Sequence, residues 1–234
     1  MKVDLAQWGA LVLALCVAGC ASTNPSGGNS KTEAKPAVIN DRAIIGQMTR
    51  DATRMMDSDE AVSMESLIEQ LKKEPRAKLV LPAGKGGRAE EVQKAIAVVG
   101  GVYKCKRCTR WHVAPASGFL IAEDLVVTNY HVVDQPERSG LAVRLFDARV
   151  FMVEAVVAAS ERFDLAVVRI PKTGVTPVAL GQAAPVGAKV DLISHPNQKF
   201  YTLSEGRVAR YFMTQRDRKT VPAMAITADF GRGS

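Results

Sequence analysis

This chain has little in the way of long hydrophobic runs: the one near its N-terminus, residues 10–18, is too short to cross a bilayer as a helix. Nor does it gather charge of one sign. Its formal net charge of +7 is spread along 234 residues, which describes a solvated basic surface better than a nucleic-acid footprint, and no RNA- or DNA-binding motif is present. The glycine-lysine cluster at residues 82–87 lacks the Gly-x4-Gly-Lys-Ser/Thr spacing, so a phosphate-cradling loop is excluded. No internal repeat is evident, which removes solenoids and propellers. Cysteine is scarce, at four, and so is histidine, at three.

What is present is enough to bury a core, since 47% of the residues are hydrophobic. Lys2 precedes the apolar run 10–18, and the run closes on Val17-Ala18-Gly19-Cys20. That pattern reads as a signal-peptide core, and its close resembles the bacterial lipobox, whose cysteine is acylated. Residues 1–19 are therefore expected to be a lipoprotein signal and Cys20 the lipid-bearing residue. Membrane attachment would run through that lipid. Ala21, which is not aspartate, points by the same resemblance to the periplasmic side of the outer membrane. Residues 20–39, rich in Ser, Thr, Asn, Pro, Gly and Lys, read as a flexible tether.

Export changes how the remaining thiols are read. Cys16 would leave with the signal and Cys20 would be acylated, so Cys105 and Cys108 form the available pair. An oxidising compartment favours a disulfide between them, whereas Cys105, Cys108 and His112 together could be three ligands of a zinc site. Both readings stay open.

Residues 40–94 read as a helical N-terminal segment, because Met55 and Met56, then Met64, Leu67, Ile68 and Leu71, recur at three- and four-residue intervals. From residue 95 onward short β-branched segments alternate with turn residues. They predict strands at 97–103, 117–121, 125–128, 142–145, 150–157, 166–170, 178–180, 189–194, 201–211 and 223–228. Such spacing suggests an all-β barrel or sandwich with little room for crossover helices.

Three strings carry the chemistry: Ala116-Ser117-Gly118-Phe119-Leu120-Ile121, Thr128-Asn129-Tyr130-His131-Val132-Val133 and Asp164-Leu165-Ala166-Val167-Val168. A serine hydroxyl is a weak nucleophile near neutral pH and needs an adjacent base. Histidine suits that need, and a carboxylate on its second nitrogen fixes the tautomer. In this order and spacing the strings resemble the trypsin-like serine proteases of the bacterial HtrA (DegP-like) group, over residues 95–234. The resemblance implies two antiparallel β-barrels, at 95–172 and at 173–234, the second incomplete, with His131 as base and Asp164 as its orienting partner. It also implies a protein or peptide substrate cleaved through an acyl-enzyme, with no cofactor.

Thr227-Ala228-Asp229-Phe230-Gly231-Arg232-Gly233-Ser234 resembles the approach to the family's Gly-x-Ser-Gly-Gly signature. In the register that fits better, Gly233 is the signature glycine and an oxyanion donor, and the nucleophile follows Ser234. In the other register Ser234 is itself the nucleophile. Asp229 would lie six residues before the nucleophile in the first register, where trypsin-like enzymes place the floor of the primary specificity pocket. His195 is read as a packing or turn residue. The alternative function is a non-catalytic lipoprotein that uses the barrel cleft as a peptide-binding scaffold.

Overall fold

A computed structural model describes residues 2–3, 16–17, 38–58, 61–80, 87–216 and 219–231. Cys20, Gly233 and Ser234 lie outside the described residues, as does most of the expected signal and tether. Among the described residues no helix is long and apolar enough to cross a membrane.

Two helices open the described chain. Helix α1 (Asp41–Asp57) starts at Asn40, whose side chain accepts the Ala43 N–H at 3.0 Å. Helix α2 (Met64–Lys72) starts at Ser63, which caps the Ser66 N–H in the same way. Each cap satisfies a backbone donor that a helix start leaves orphaned, and Asp41 and Arg54 complement the dipole of α1 at its two ends. The spacing of Met64, Leu67, Ile68 and Leu71 puts all four on one buried face of α2, as their intervals predict. A single turn, α3 (Ala89–Gln93), leads into the strands.

The strands in chain order are β1 (Lys2–Val3), β2 (Cys16–Val17), β3 (Leu79–Val80), β4 (Ile96–Lys104), β5 (Trp111–Ala122), β6 (Leu125–Thr128), β7 (Gly140–Leu145), β8 (Val150–Met152), β9 (Ala155–Ser160), β10 (Leu165–Arg169), β11 (Lys189–Ser194), β12 (Thr202–Arg216) and β13 (Lys219–Ile226). A short helical turn, α4 (Tyr130–Val133), interrupts the series. The protein is mostly β, and among the described residues every strand pairing is antiparallel.

The larger sheet has seven strands in the order β8-β7-β4-β5-β6-β10-β9. Its two outermost strands are consecutive in sequence, two residues apart. Val153 N–H donates to Leu141 O on the β7 side, and Glu154 N–H donates to Arg169 O on the β10 side. The sheet must therefore curl until its edges meet, which is the closure that removes exposed strand edges. Closure also explains a difference from expectation: residues 150–157 do not form one strand, because the chain changes partners at Val153.

Two other elements differ from the reading of the sequence. Strand β5 begins at Trp111 rather than 117 and runs through Pro115, which sits opposite Gly100. A residue with no N–H is tolerated there because β6 pairs only from Phe119 onward, leaving that part of β5 with one neighbour. Residues 178–180 form no sheet strand. Val178 N–H gives one backbone bond to Leu120 O, and Pro177 beside it offers no donor.

Helices and barrel share one core. Met48 and Ala52 of α1, the four apolar residues of α2 and the barrel residues Ile96 to Val99, Leu120 and Ile121 belong to a single buried cluster. Gly100 makes part of this possible. A Cβ there would meet the Val113 side chain and lie 3.2 Å from Met48 Cε, so glycine lets α1 approach β4 closely. Polar anchors reinforce the docking: Met64 N–H bonds Ser139 O at 3.0 Å, and Gln70 Oε1 accepts the Val156 N–H at 2.8 Å.

The smaller sheet runs β13-β12-β11-β2. Its β2 lies within the segment expected to be the signal. Beyond Val208, β12 and β13 form a largely exposed hairpin, longer at its tip than predicted because polar residues 214–220 carry no strand signal. Ala228 crosses close over Gly206: a Cβ on Gly206 would strike its backbone, with Cα only 2.7 Å away. Gly206→Ala should cost about 1–3 kcal/mol and lower the thermal midpoint by several degrees, measured by calorimetry.

Candidate active site

Strands β6 and β10 are antiparallel neighbours in the register Ala166↔Thr128. The end of β6 and the start of β10 therefore lie side by side, and each chain segment leaving that edge brings one functional residue. On the β6 side, Thr128 is fully buried and its hydroxyl donates to Ser117 O at 3.0 Å, fixing the strand end. The turn α4 then buries Tyr130, Val132 and Val133. Three apolar side chains in one turn leave a single outward direction, and His131 takes it, with 64% of its side chain exposed.

On the β10 side a turn closed by Asp164 N–H to Glu161 O precedes the strand. Asp164 adopts a left-handed backbone, φ +52°. Aspartate tolerates this conformation better than most residues, and here it turns the carboxylate inward, leaving the side chain 6% exposed.

The two residues meet. His131 Nδ1 lies 3.0 Å from Asp164 Oδ1 and 2.9 Å from Oδ2, and the His131 backbone N–H donates to Oδ1 at 3.0 Å. An ionised carboxylate only accepts, so Nδ1 carries the proton and Nε2, on the solvent side, keeps its lone pair. That is the tautomer of a general base.

Two further partners were not legible as such in the sequence. Asn129 Nδ2 donates to Asp164 O and to Oδ2, both at 3.1 Å. Its place beside His131 was the only signal. Arg216, at the tip of the β12–β13 hairpin, donates to Oδ2 at 2.6 Å. No local pattern marks it. The same tip is tied to the loop before Asp164, through Arg162 to Thr220 O at 3.0 Å and Lys219 to Glu161 at 3.2 Å. An open cleft of ≈ 620 Å³ lies there, lined by Glu74, Arg76, Phe163 and Lys219 among others, and His131 is not part of its wall.

These contacts decide the charge state of Asp164. Burial alone would push its carboxyl up. The hydrogen bonds from the His131 ring and backbone, with the electrostatic pull of the His131 ring and of the Arg216 guanidinium, outweigh burial and hold it below the ordinary carboxylate range.

His195 is buried at 2% exposure and lies in the turn after β11. Its Nδ1 accepts the Tyr201 N–H at 3.0 Å, so Nε2 carries the proton and donates to Ala97 O at 3.1 Å. Its rings pack against Phe200 and Tyr201. The packing role expected for it is what the structure shows. Asp229 is exposed, and its carbonyl accepts from the Ser204 hydroxyl at 2.6 Å. Cys105 and Cys108 are both free thiols near His112. Backbone N–H groups of Cys108 and Arg107, then the Cys108 side chain, hold the Cys105 thiol below its usual value.

A family model described as the trypsin-like peptidase domain matches residues 116–234, just over half of the chain. The chain belongs to the trypsin-like peptidase family. The matched span contains both His131 and Asp164. Among curated proteins, an anti-sigma-I factor, RsgI9, of Acetivibrio thermocellus is 30% identical over 101 residues, 41% of this chain. The chain spans only 14% of that relative's length. Among solved structures, the active form of the Rv3671c protease from M. tuberculosis aligns at 23% identity and a TM-score of 0.49, covering 67% of this chain and 72% of that one. Its inactive form aligns at 22% and 0.48, covering 62% and 70%.

Proposed function

We propose that this trypsin-like peptidase is a serine endopeptidase of the cell envelope, with His131 as general base and Asp164 as its orienting carboxylate. The observation that carries this reading is the pairing of Nδ1 with a buried, fully hydrogen-bonded carboxylate while Nε2 faces solvent. In the proposed reaction Nε2 takes the proton of a serine hydroxyl as the oxygen attacks the scissile carbonyl. Asp164 stabilises the imidazolium so formed, and the same proton then passes to the leaving amine, giving the acyl-enzyme. Water, deprotonated by His131, cleaves the ester and restores the hydroxyl.

The nucleophile is proposed to follow Ser234, with Gly233 N–H as one oxyanion donor. Asp229 is the candidate floor of the primary specificity pocket, which would favour Arg or Lys in the substrate. Acylation of Cys20 would hold the enzyme at the membrane.

A serine-reactive fluorophosphonate tests this on a chain carried past Ser234. The wild type should label stoichiometrically and His131→Ala should label at a small fraction of that rate. Equal labelling of the two forms would show that His131 does not activate the nucleophile, and labelling confined to Ser234 would select the other register.

A further inference from the structure

The peptidase chemistry makes no use of the β4–β5 hairpin, yet that hairpin brings three ligand-type side chains together. Sheet pairing sets its frame. Tyr103 pairs with His112 and Lys104 with Trp111, and the His112 ring stacks on Tyr103 at 5.6 Å and 29°. At the tip Cys105 N–H donates to Arg110 O at 2.8 Å and Thr109 N–H donates to Cys105 O at 2.9 Å. Thr109 is left-handed, φ +55°, which turns the chain back immediately after Cys108. The outcome is convergence: the ligand atoms of Cys105, Cys108 and His112 all lie within 4.8 Å of one another, and Cys108 Sγ is 3.1 Å from His112 Nε2.

We propose that Cys105 Sγ, Cys108 Sγ and His112 Nε2 bind a zinc-class divalent cation, with water in the fourth position. Zinc sits about 2.3 Å from thiolate sulfur and about 2.0 Å from imidazole nitrogen. Three donors already gathered this closely reach those distances by small side-chain rotations, with no movement of the strands. Binding releases two thiol protons to solvent, so two thiolates neutralise the ion's double positive charge. A disulfide would use the two sulfurs and leave unexplained why the His112 nitrogen is aimed at one of them.

The ion would act as a clamp. Phe119 pairs with Val127, so the part of β5 from Ser117 back to Trp111 extends about 20 Å past the end of β6 from which His131 emerges. Strand β7 flanks β4 as far as Val102, so the two-stranded part is the tip beyond it, Tyr103 and Lys104 against His112 and Trp111 with the turn they carry. A staple there holds the part with least sheet support. This inference stands independently of the nucleophile's position.

The test is a titration of reduced, metal-free full-length protein with Co²⁺, followed by displacement with Zn²⁺, alongside Cys105→Ser and His112→Ala. Because Cys16 and Cys20 are common to all three, the differences report the hairpin alone. Wild type should take up about one equivalent, with a sulfur-to-cobalt charge-transfer band and the visible bands of tetrahedral cobalt, both abolished by zinc. Cys105→Ser, left with one thiolate, should lose at least about half of the charge-transfer intensity, and His112→Ala should keep the band from its two thiolates while binding at least about tenfold more weakly. Cys108 is exposed and Cys105 and His112 are half-buried, and unchanged far-ultraviolet circular dichroism will show that the variants fold. A cobalt spectrum unaltered in Cys105→Ser overturns the proposal. So does protein that, purified without reductant, is two hydrogens lighter at this hairpin and shows no charge-transfer band after reduction, an outcome that assigns a disulfide.

Discussion

Asp164→Asn should lower kcat/KM on a peptide substrate by about 10⁴-fold while leaving the fold in place. The amide is nearly isosteric, so the loss comes from charge and hydrogen-bond polarity rather than packing. Asp164 receives five donor contacts: the His131 backbone N–H, Nδ1 to both oxygens, Asn129 and Arg216. An asparagine presents one accepting oxygen and one donating nitrogen. The nitrogen side would face Nδ1 or Arg216, and a donor facing Nδ1 moves the imidazole proton to Nε2. A protonated Nε2 cannot accept the hydroxyl proton, and no carboxylate remains to stabilise imidazolium. The measurement is steady-state kinetics on a chain carried past Ser234, with circular dichroism as the control for folding. A loss below about tenfold would sink the assignment of Asp164 as the orienting group.

Stability should fall steeply as the pH drops from about 6.5 towards 4, and His195 is the main cause. Burial pushes the His195 imidazole down to about 4 from its ordinary 6.5, with the nearby Arg144 charge adding to the effect and the backbone bonds at Ala97 and Ser194 opposing it. A depressed histidine means that the unfolded chain takes up a proton while the native chain does not. The associated stability is fully present above pH 6.5 and is lost progressively as pH falls towards about 4. The displacement corresponds to about 3 kcal/mol for this deeply buried ring. Asp164 acts in a separate and lower window. Its carboxyl is also held down, so its contribution is present above the usual carboxylate range and disappears only below it. Urea midpoints measured across this range should show the slope, and His195→Asn should be less stable throughout but flat between pH 6.5 and 4. A wild-type midpoint constant over that interval would refute the assignment.

Much of the fold was written in local patterns. The four-residue apolar stripe of α2 and the strand limits 125–128 and 189–194 agree with the structure, because each is set by the run of side chains within one segment. The features that were misread depend on a partner elsewhere. Val153 changes edges because the barrel closes, Pro115 is tolerated because β6 stops short, and residues 178–180 make isolated backbone contacts instead of a strand ladder.

The same division runs through the candidate site. By itself the sequence determined which residue types are available at the end of β6 and the start of β10, hence His131 and Asp164, since strand ends and turn residues are set by neighbours in the chain. Only the tertiary structure decided their mutual geometry and the lowered carboxyl of Asp164. Arg216 lies 52 positions from Asp164 and reaches it because a hairpin of the second sheet folds back over the first. Burial, left-handed turns and cross-sheet ion pairs arise from segments brought together by the shared core, and no local string records them.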